Sequence, residues 1–500
     1  MNEIVLHRTV QQDDSLSFLH RNLLFLLYIV SILISFTLIF SRIVWCSVFG
    51  LARTDILLCL IGCSPTVILF AAQLRREKVS DQRLFVLIAF PALYGFSLFI
   101  VPGGIPDEHV HIAQIFALFN RSSAGMYVPV AVSNGVLPTS YQQLYHCLQQ
   151  NSSWDVLEYT NRYVTYGTHL YFLPYLVVSL CHLADIHPLL AVYAARFTNA
   201  LIYLIAGNQI IKHIPVAKTF MLVYLLNPIA IQQGASTSCD AIINVIALSF
   251  SAYVLWLRFK EEKLSPRNLI WLGLLVALLV ISKNAAYTPM LLMLLILLNR
   301  LEDKNSAKKA FFGTVVAIAA LSITVICLYT GDFLPYAFEL LRQPLFFLKV
   351  YLNTIWLQWP FWFESLFGYN LGALDINEWL FVFLAYVLLL FTSISRDTEK
   401  EKLDFNWLDR TVFILVALID MTLIALSLRE WAVTVDHLDN LLTGVQGRYF
   451  IPFAQLPFYT FYGRSKLVTK TSSITIIAWT FVFILVTDMA TIAAHYFYLA

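Results

Sequence analysis

Charge is what this sequence has least of. Asp, Glu, Lys and Arg make up 13% of its 500 residues, against 59% hydrophobic, which is not the balance of a soluble protein. The net charge of +2 lies in short loops rather than on a basic face, so no nucleic-acid partner is expected. Cysteine is scarce too, at seven residues with no C-x-x-C pair. Cys59 and Cys63 share one face of an apolar run and read as packing residues. Cys147 and Cys239 both fall in segments placed outside the membrane, where they could form a disulfide. No soluble domain, low-complexity tract or internal repeat is visible. No cleavable signal stands out either. Residues 1–21 are polar and carry Asp13 and Asp14, and the apolar run after them is too long for a signal core. The first span reads as an uncleaved anchor.

What the sequence does have is repeated apolar runs of about 18–22 residues, long enough to cross a hydrocarbon core about 30 Å thick. The expected fold is all-α and polytopic, with about 13 transmembrane helices in a single integral-membrane domain over residues 1–500. Spans are expected near 22–40, 54–73, 84–101, 196–211, 216–234, 241–257, 268–282, 285–298, 310–329, 379–394, 411–427, 449–462 and 474–492. With a cytoplasmic N-terminus, the inward segments collect 23 of the 33 basic residues, as the positive-inside rule requires. This orientation puts Asp107 and Glu108 outside, in a first outer loop over 102–195. Residues 168–186 are apolar enough to be read as a span, but a span there would turn the basic clusters outward. They are expected to form an interfacial helix instead. A second outer segment, 330–378, is rich in aromatics, among them Trp356, Trp359, Phe361 and Trp362. It reads either as a headgroup-level belt or as a platform beside a lipid or sugar.

Chemistry concentrates at Ile105-Pro106-Asp107-Glu108-His109-Val110-His111, directly after the run that ends at Val101. Pro102-Gly103-Gly104 and Pro106 stop a helix there. A carboxylate at a membrane edge suits a general base, because partial burial raises its pKa toward working pH. Asp107 and Glu108 are adjacent, so one of them acts while the other turns to a cation or an amide. His109 and His111 would orient the base or bind a metal with it; the plain alternative is a hydrophilic loop start. Asp240 lies at the outer end of a later span, where it caps the helix that starts at Ala241, joins the site, or does both. Arg196, Lys283 and Arg448 share that face. Each alone would snorkel to headgroups. Three of them beside two acidic sites suit a phosphate-binding pocket. Asp420 and Asp488 lie within spans, where a charge marks a paired or functional group.

These residues, in this order, resemble the domain-of-unknown-function 2142 family of bacterial multi-pass proteins. The resemblance runs through Pro106-Asp107-Glu108-x-x-His111, Arg196-Phe197-Thr198-Asn199-Ala200, Asn227-Pro228 to Asp240-Ala241, and Ser282-Lys283. It continues through Gly368 to Asp375 and closes with Gln446-Gly447-Arg448-Tyr449, covering roughly residues 84–462. The chain departs from the family at His109-Val110 and lacks the common proline around Asp375-Ile376-Asn377. That family in turn resembles the GT-C glycosyltransferases, in which an acidic residue follows the first conserved span and a second begins the next outer loop. The resemblance implies Asp107 or Glu108 as general base. It also implies a substrate site built from His109, His111, Arg196, Asp240, Lys283, Asp375, Gln446, Arg448 and Tyr449, with a divalent cation such as Mg or Mn at Asp107 and Asp240. The implied activity moves a sugar from a polyprenyl-phosphate carrier to a cell-envelope glycan or lipid, among the lipids of the plasma membrane and on its outer face. The alternatives are a transporter or flippase for a lipid-linked saccharide, and a non-catalytic partner in envelope assembly.

Overall fold

The computed structural model describes residues 2–76, 79–118, 121–122, 125–150, 153–160, 167–260, 265–300, 342–400, 403–428, 441–442, 444–463 and 474–498. The span expected near 310–329 lies outside the described residues. In chain order the first helices are α1 (Asn2–Phe49), α2 (Arg53–Arg76), α3 (Asp81–Phe99), α4 (Glu108–Ala117), α5 (Tyr141–Gln149) and α6 (Phe172–Leu183). Next come α7 (Pro188–His213), α8 (Lys218–Leu225), α9 (Pro228–Gly234), α10 (Asp240–Phe259) and α11 (Pro266–Ile281). The last described are α12 (Pro344–Phe367), α13 (Leu380–Lys400), α14 (Trp407–Ser427), α15 (Leu456–Tyr459) and α16 (Ile474–Tyr498). Among the described residues sheet is confined to two small pieces: β1 (Arg121–Ser122), β2 (Gly125–Pro129) and β3 (Leu157–Thr160) pair antiparallel, as do β4 (Asn370–Leu371) and β5 (Ile376–Asn377).

Six described helices are long and apolar enough to cross a membrane: Asn22–Phe49, Arg53–Arg75, Asp81–Phe99, Pro188–His213, Asp240–Phe259 and Ile474–Tyr498. The chain is an all-α membrane protein. Its core forms around α3 and α10, whose apolar windows are 72% buried inside the protein, whereas that of α2 is 11% buried and presents its leucines and isoleucines outward. Outward apolar faces are what lipid solvates, and the two most apolar of these windows, in α1 and α2, are the two least buried.

One stretch departs from expectation in an instructive way. A single span near 216–234 was expected, and the chain forms α8 and α9 with a break at Asn227-Pro228. Pro228 has no amide hydrogen to continue a ladder. The Asn227 Oδ1 accepts from the amides of Ile229 (2.8 Å) and Ala230 (3.3 Å), starting a new helix. Every residue from Thr219 to Asp240 is buried, so the broken backbone meets protein instead of lipid. Its partner is the end of α12. Gly368 sits at φ +91°, and a Cβ there would come 2.7 Å from the Pro228 Cβ, so only glycine fits. Asn227 Nδ2 donates to the Leu366 carbonyl (2.8 Å), and the Gln232 carboxamide exchanges two hydrogen bonds with the Gly372 backbone, both 2.9 Å.

Other expected spans are also irregular. Thr288–Arg300 is a 3-10 helix, and 449–462 contains the end of a 3-10 turn (Gly447–Phe450) and the four-residue α15. Pro452 and Pro457 withhold amide donors there. In the 168–186 stretch, a 3-10 turn (Thr168–Tyr171) leads into α6, an apolar helix of 12 residues that is shorter than the six long ones. Cys147 and Cys239 are both free thiols and form no disulfide; the Cys147 Sγ faces the Val136 carbonyl instead.

Candidate functional site

The site begins with a knot that holds two helix ends together. Arg196, on α7, is fully buried, and so is Glu108, the first residue of α4. A guanidinium has five N–H donors, and here they meet five acceptors. Nε donates to Glu108 Oε1 (2.8 Å) and Nη2 to Glu108 Oε2 (2.5 Å) and the Val101 carbonyl (2.9 Å). Nη1 donates to the carbonyls of Ser97 (3.1 Å) and Ile100 (2.5 Å). These carbonyls lie at the C-terminal end of α3, where a helix leaves acceptors unpaired and favours a cation. Glu108 is completed by amides of Gly103 (3.0 Å) and Thr237 (3.1 Å). Its oxygens are saturated, so Glu108 anchors these helix ends.

The anchor sets its neighbour. Asp107 adopts φ 60°, ψ 6°, a left-handed conformation, and its side chain is half exposed. It pairs with Arg448 Nη2, whose Nη1 also donates to the Pro106 carbonyl (2.9 Å). The same guanidinium reaches Asp240 Oδ2 at 3.5 Å, and Lys283 Nζ lies 2.8 Å from Asp240 Oδ1. Gln446 Oε1 accepts from Arg448 Nε (2.7 Å), and the Tyr449 hydroxyl accepts from Arg448 Nη2 (3.0 Å) while facing Asp107 Oδ2 at 3.5 Å. Lys283 Nζ stands 4.3 Å from the Tyr449 ring centre. Lys283 is itself left-handed, at φ 43°. Such a backbone costs a non-glycine residue about 1–2 kcal/mol, and of the five described non-glycine residues that adopt it two are in this site. Asp240 does not cap α10: Ser238 Oγ bonds the Asp240 amide (3.1 Å), leaving the carboxylate to the cations.

The remaining candidates divide. His111 is buried on α4, with Nδ1 2.7 Å from the Tyr171 hydroxyl, and feels the charges of Asp240, Arg448, Asp107 and Lys283. His109 is half-buried on the same helix. Asp375 lies at the β4–β5 turn and pairs with His495 on α16 (3.3 Å) rather than with the cluster. Asp488 meets Glu378, whose carboxyl is pushed up by burial. Asp420 is buried with neither oxygen bonded to a described residue. Three further residues support the site without standing out in the sequence: Thr237, Tyr171, and Tyr496, whose hydroxyl donates to the Gly104 carbonyl (3.1 Å) and braces the loop before Asp107. Their signal was only proximity to motif residues or to an apolar terminus.

Burial pushes the His111 pKa down to about 4, with the negative charge of Asp240 opposing. The unfolded chain therefore takes up a proton between about pH 6.5 and 4 that the folded chain refuses, so this contribution to stability is full above pH 6.5 and falls as pH drops. The thermal midpoint of purified protein is expected to fall from pH 7 to pH 5, and His111→Gln to flatten part of that fall. An equally steep fall in the variant would contradict this.

The donor set does not fit a resident divalent cation. Both carboxylates already face cationic side chains, and among the described residues no three His, Cys, Asp or Glu side chains converge. What the arrangement can do is hold an anion between Arg448 and Lys283 with a half-exposed carboxylate alongside. No curated protein and no solved structure matches the chain. A family described as predicted membrane proteins, DUF2142, matches residues 90–456, which contain Asp107, Arg196, Asp240, Lys283 and Arg448. The chain belongs to the DUF2142 family of predicted membrane proteins.

Proposed function

We propose that the protein is a membrane glycosyltransferase that moves a sugar from a polyprenyl-phosphate carrier to a hydroxyl of an envelope glycan or lipid. One observation carries the reading: a single guanidinium, Arg448, bridges two carboxylates 133 positions apart, Asp107 and Asp240, with Lys283 beside them. Asp107 takes the proton of the acceptor hydroxyl. The acceptor oxygen bonds to the anomeric carbon as the bond from that carbon to the carrier phosphate breaks. The leaving group is an anion already and needs charge stabilisation, which Arg448 and Lys283 supply. The GT-C likeness, the spans beyond the six long helices, the cytoplasmic N-terminus and the plasma-membrane location belong to the same reading. In that orientation the site faces outward.

The test is release of free polyprenyl phosphate when the purified protein is incubated with polyprenyl-phosphate sugars and an envelope lipid extract. EDTA is expected to leave the release unchanged, because the cations of the site are side chains; activity lost to EDTA and restored by Mg or Mn would restore a metal to the mechanism. Saccharide-lipid translocation in vesicles without release would instead identify a transporter, a reading that the broken α8–α9 pair favours.

A further inference from the structure

Leu442 and the stretch from Gly444 to Gly447 lie against one face of α12, pinned to it at two points. The Leu442 amide donates to Thr354 Oγ1 (2.9 Å), and the Gly447 amide donates to Ser365 Oγ (2.8 Å). At Gly447 the approach is so close that a Cβ would overlap the backbone of Trp362 and Leu366. Thr354, Gln358, Phe361 and Ser365 fall at i, i+4, i+7 and i+11 and so share a helix face. Between the pins the two elements part and leave a cavity of ≈ 420 Å³, lined by Leu357, Gln358, Phe361, Gly444, Val445 and Gln446. That size lies within the range of about 300–1,000 Å³ typical of small-molecule sites.

The cavity reaches the cluster through one side chain. Gln446 lines it and also accepts from Arg448 Nε through Oε1. Its NH₂ remains a donor. The lining thus offers an aromatic ring, two aliphatic walls and two carboxamides, with a guanidinium at one end. A pyranose presents the matching surface: an apolar face of C–H groups, hydroxyls around its rim that both donate and accept, and, when activated, a phosphate at one carbon. We propose that this cavity holds the sugar ring of the donor, a hexopyranose whose phosphate lies at Arg448. The proposal rests on the transferase reading and adds to it the place where the sugar is recognised. Gln358 and Gln446 bond the hydroxyls, and Phe361 stacks on the ring.

The experiment measures binding of inorganic phosphate and of glucose, galactose, mannose and N-acetylglucosamine 1-phosphates to the full-length protein in detergent, by calorimetry. At least one sugar phosphate is expected to bind about tenfold more tightly than phosphate, the equivalent of one or two hydrogen bonds. Gln358→Leu, which keeps the bulk and removes the carboxamide, is expected to erase that preference and leave phosphate affinity unchanged. Phe361→Leu is expected to weaken it similarly. Phosphate affinity serves as the check that each variant is folded. An undiminished preference in both variants would overturn the assignment. So would equal binding of phosphate and every sugar phosphate by the wild type, and the transferase reading would survive that result. Failure to bind phosphate at all would instead remove the anion site, and the transferase reading with it.

Discussion

Asp107→Asn is expected to lower sugar transfer by about 10²- to 10⁴-fold, the range spanned by a lost general base. The substitution is nearly isosteric, and asparagine tolerates the left-handed backbone that position 107 adopts. The amide oxygen still accepts from Arg448, so the loop and the cation keep their places. What disappears is a group able to take a proton. The loss should therefore fall on kcat rather than on KM, with expression and thermal midpoint near those of the wild type. Turnover within a few-fold of normal would end the assignment of Asp107 as base.

Glu108→Gln is expected to act on folding instead. Glu108 and Arg196 are both fully buried, and removing one charge strands the other. Breaking such a pair costs about 3–5 kcal/mol, a large share of the about 5–15 kcal/mol that holds a typical protein together. The variant should be poorly expressed or melt far below the wild type in detergent. Pairing it with Arg196→Met should recover part of the loss, because the stranded charge goes too. The two acids are thus separable by experiment. A Glu108→Gln protein that melts normally and is inactive would assign the base to Glu108.

Much of the site could be read along the chain. Asp107, Asp240, Lys283 and Arg448 stand out because a charge beside an apolar run is costly and needs a reason. The all-helical membrane fold follows from the same runs. The division of labour between Asp107 and Glu108 could not be read, since adjacent acids differ only in what the folded chain brings to them. Here a buried arginine 88 positions away takes one and leaves the other half exposed. The pairing of Asp107 with Arg448 spans 341 positions, and no local pattern encodes it. The break at Asn227-Pro228 was hidden for another reason: its flanks are apolar enough for a span, and only complete burial shows that they face protein. Asp375 belongs to the motif, yet it lies beside His495, on a helix beyond the family match, and not in the cluster.

Arg448 touches both acids, and that sharing has a consequence for what the site will admit. Two acids and two bases sum to zero, so these four groups lend the resting pocket no net charge to gather anions from solution. An anion enters by taking over a bond that a carboxylate now holds. In the transferase reading, a phosphate that takes the guanidinium from Asp107 leaves that carboxylate without its partner as the donor arrives. On that reading selectivity comes from exchange at one arginine, and donor binding precedes proton transfer because both depend on the same contact.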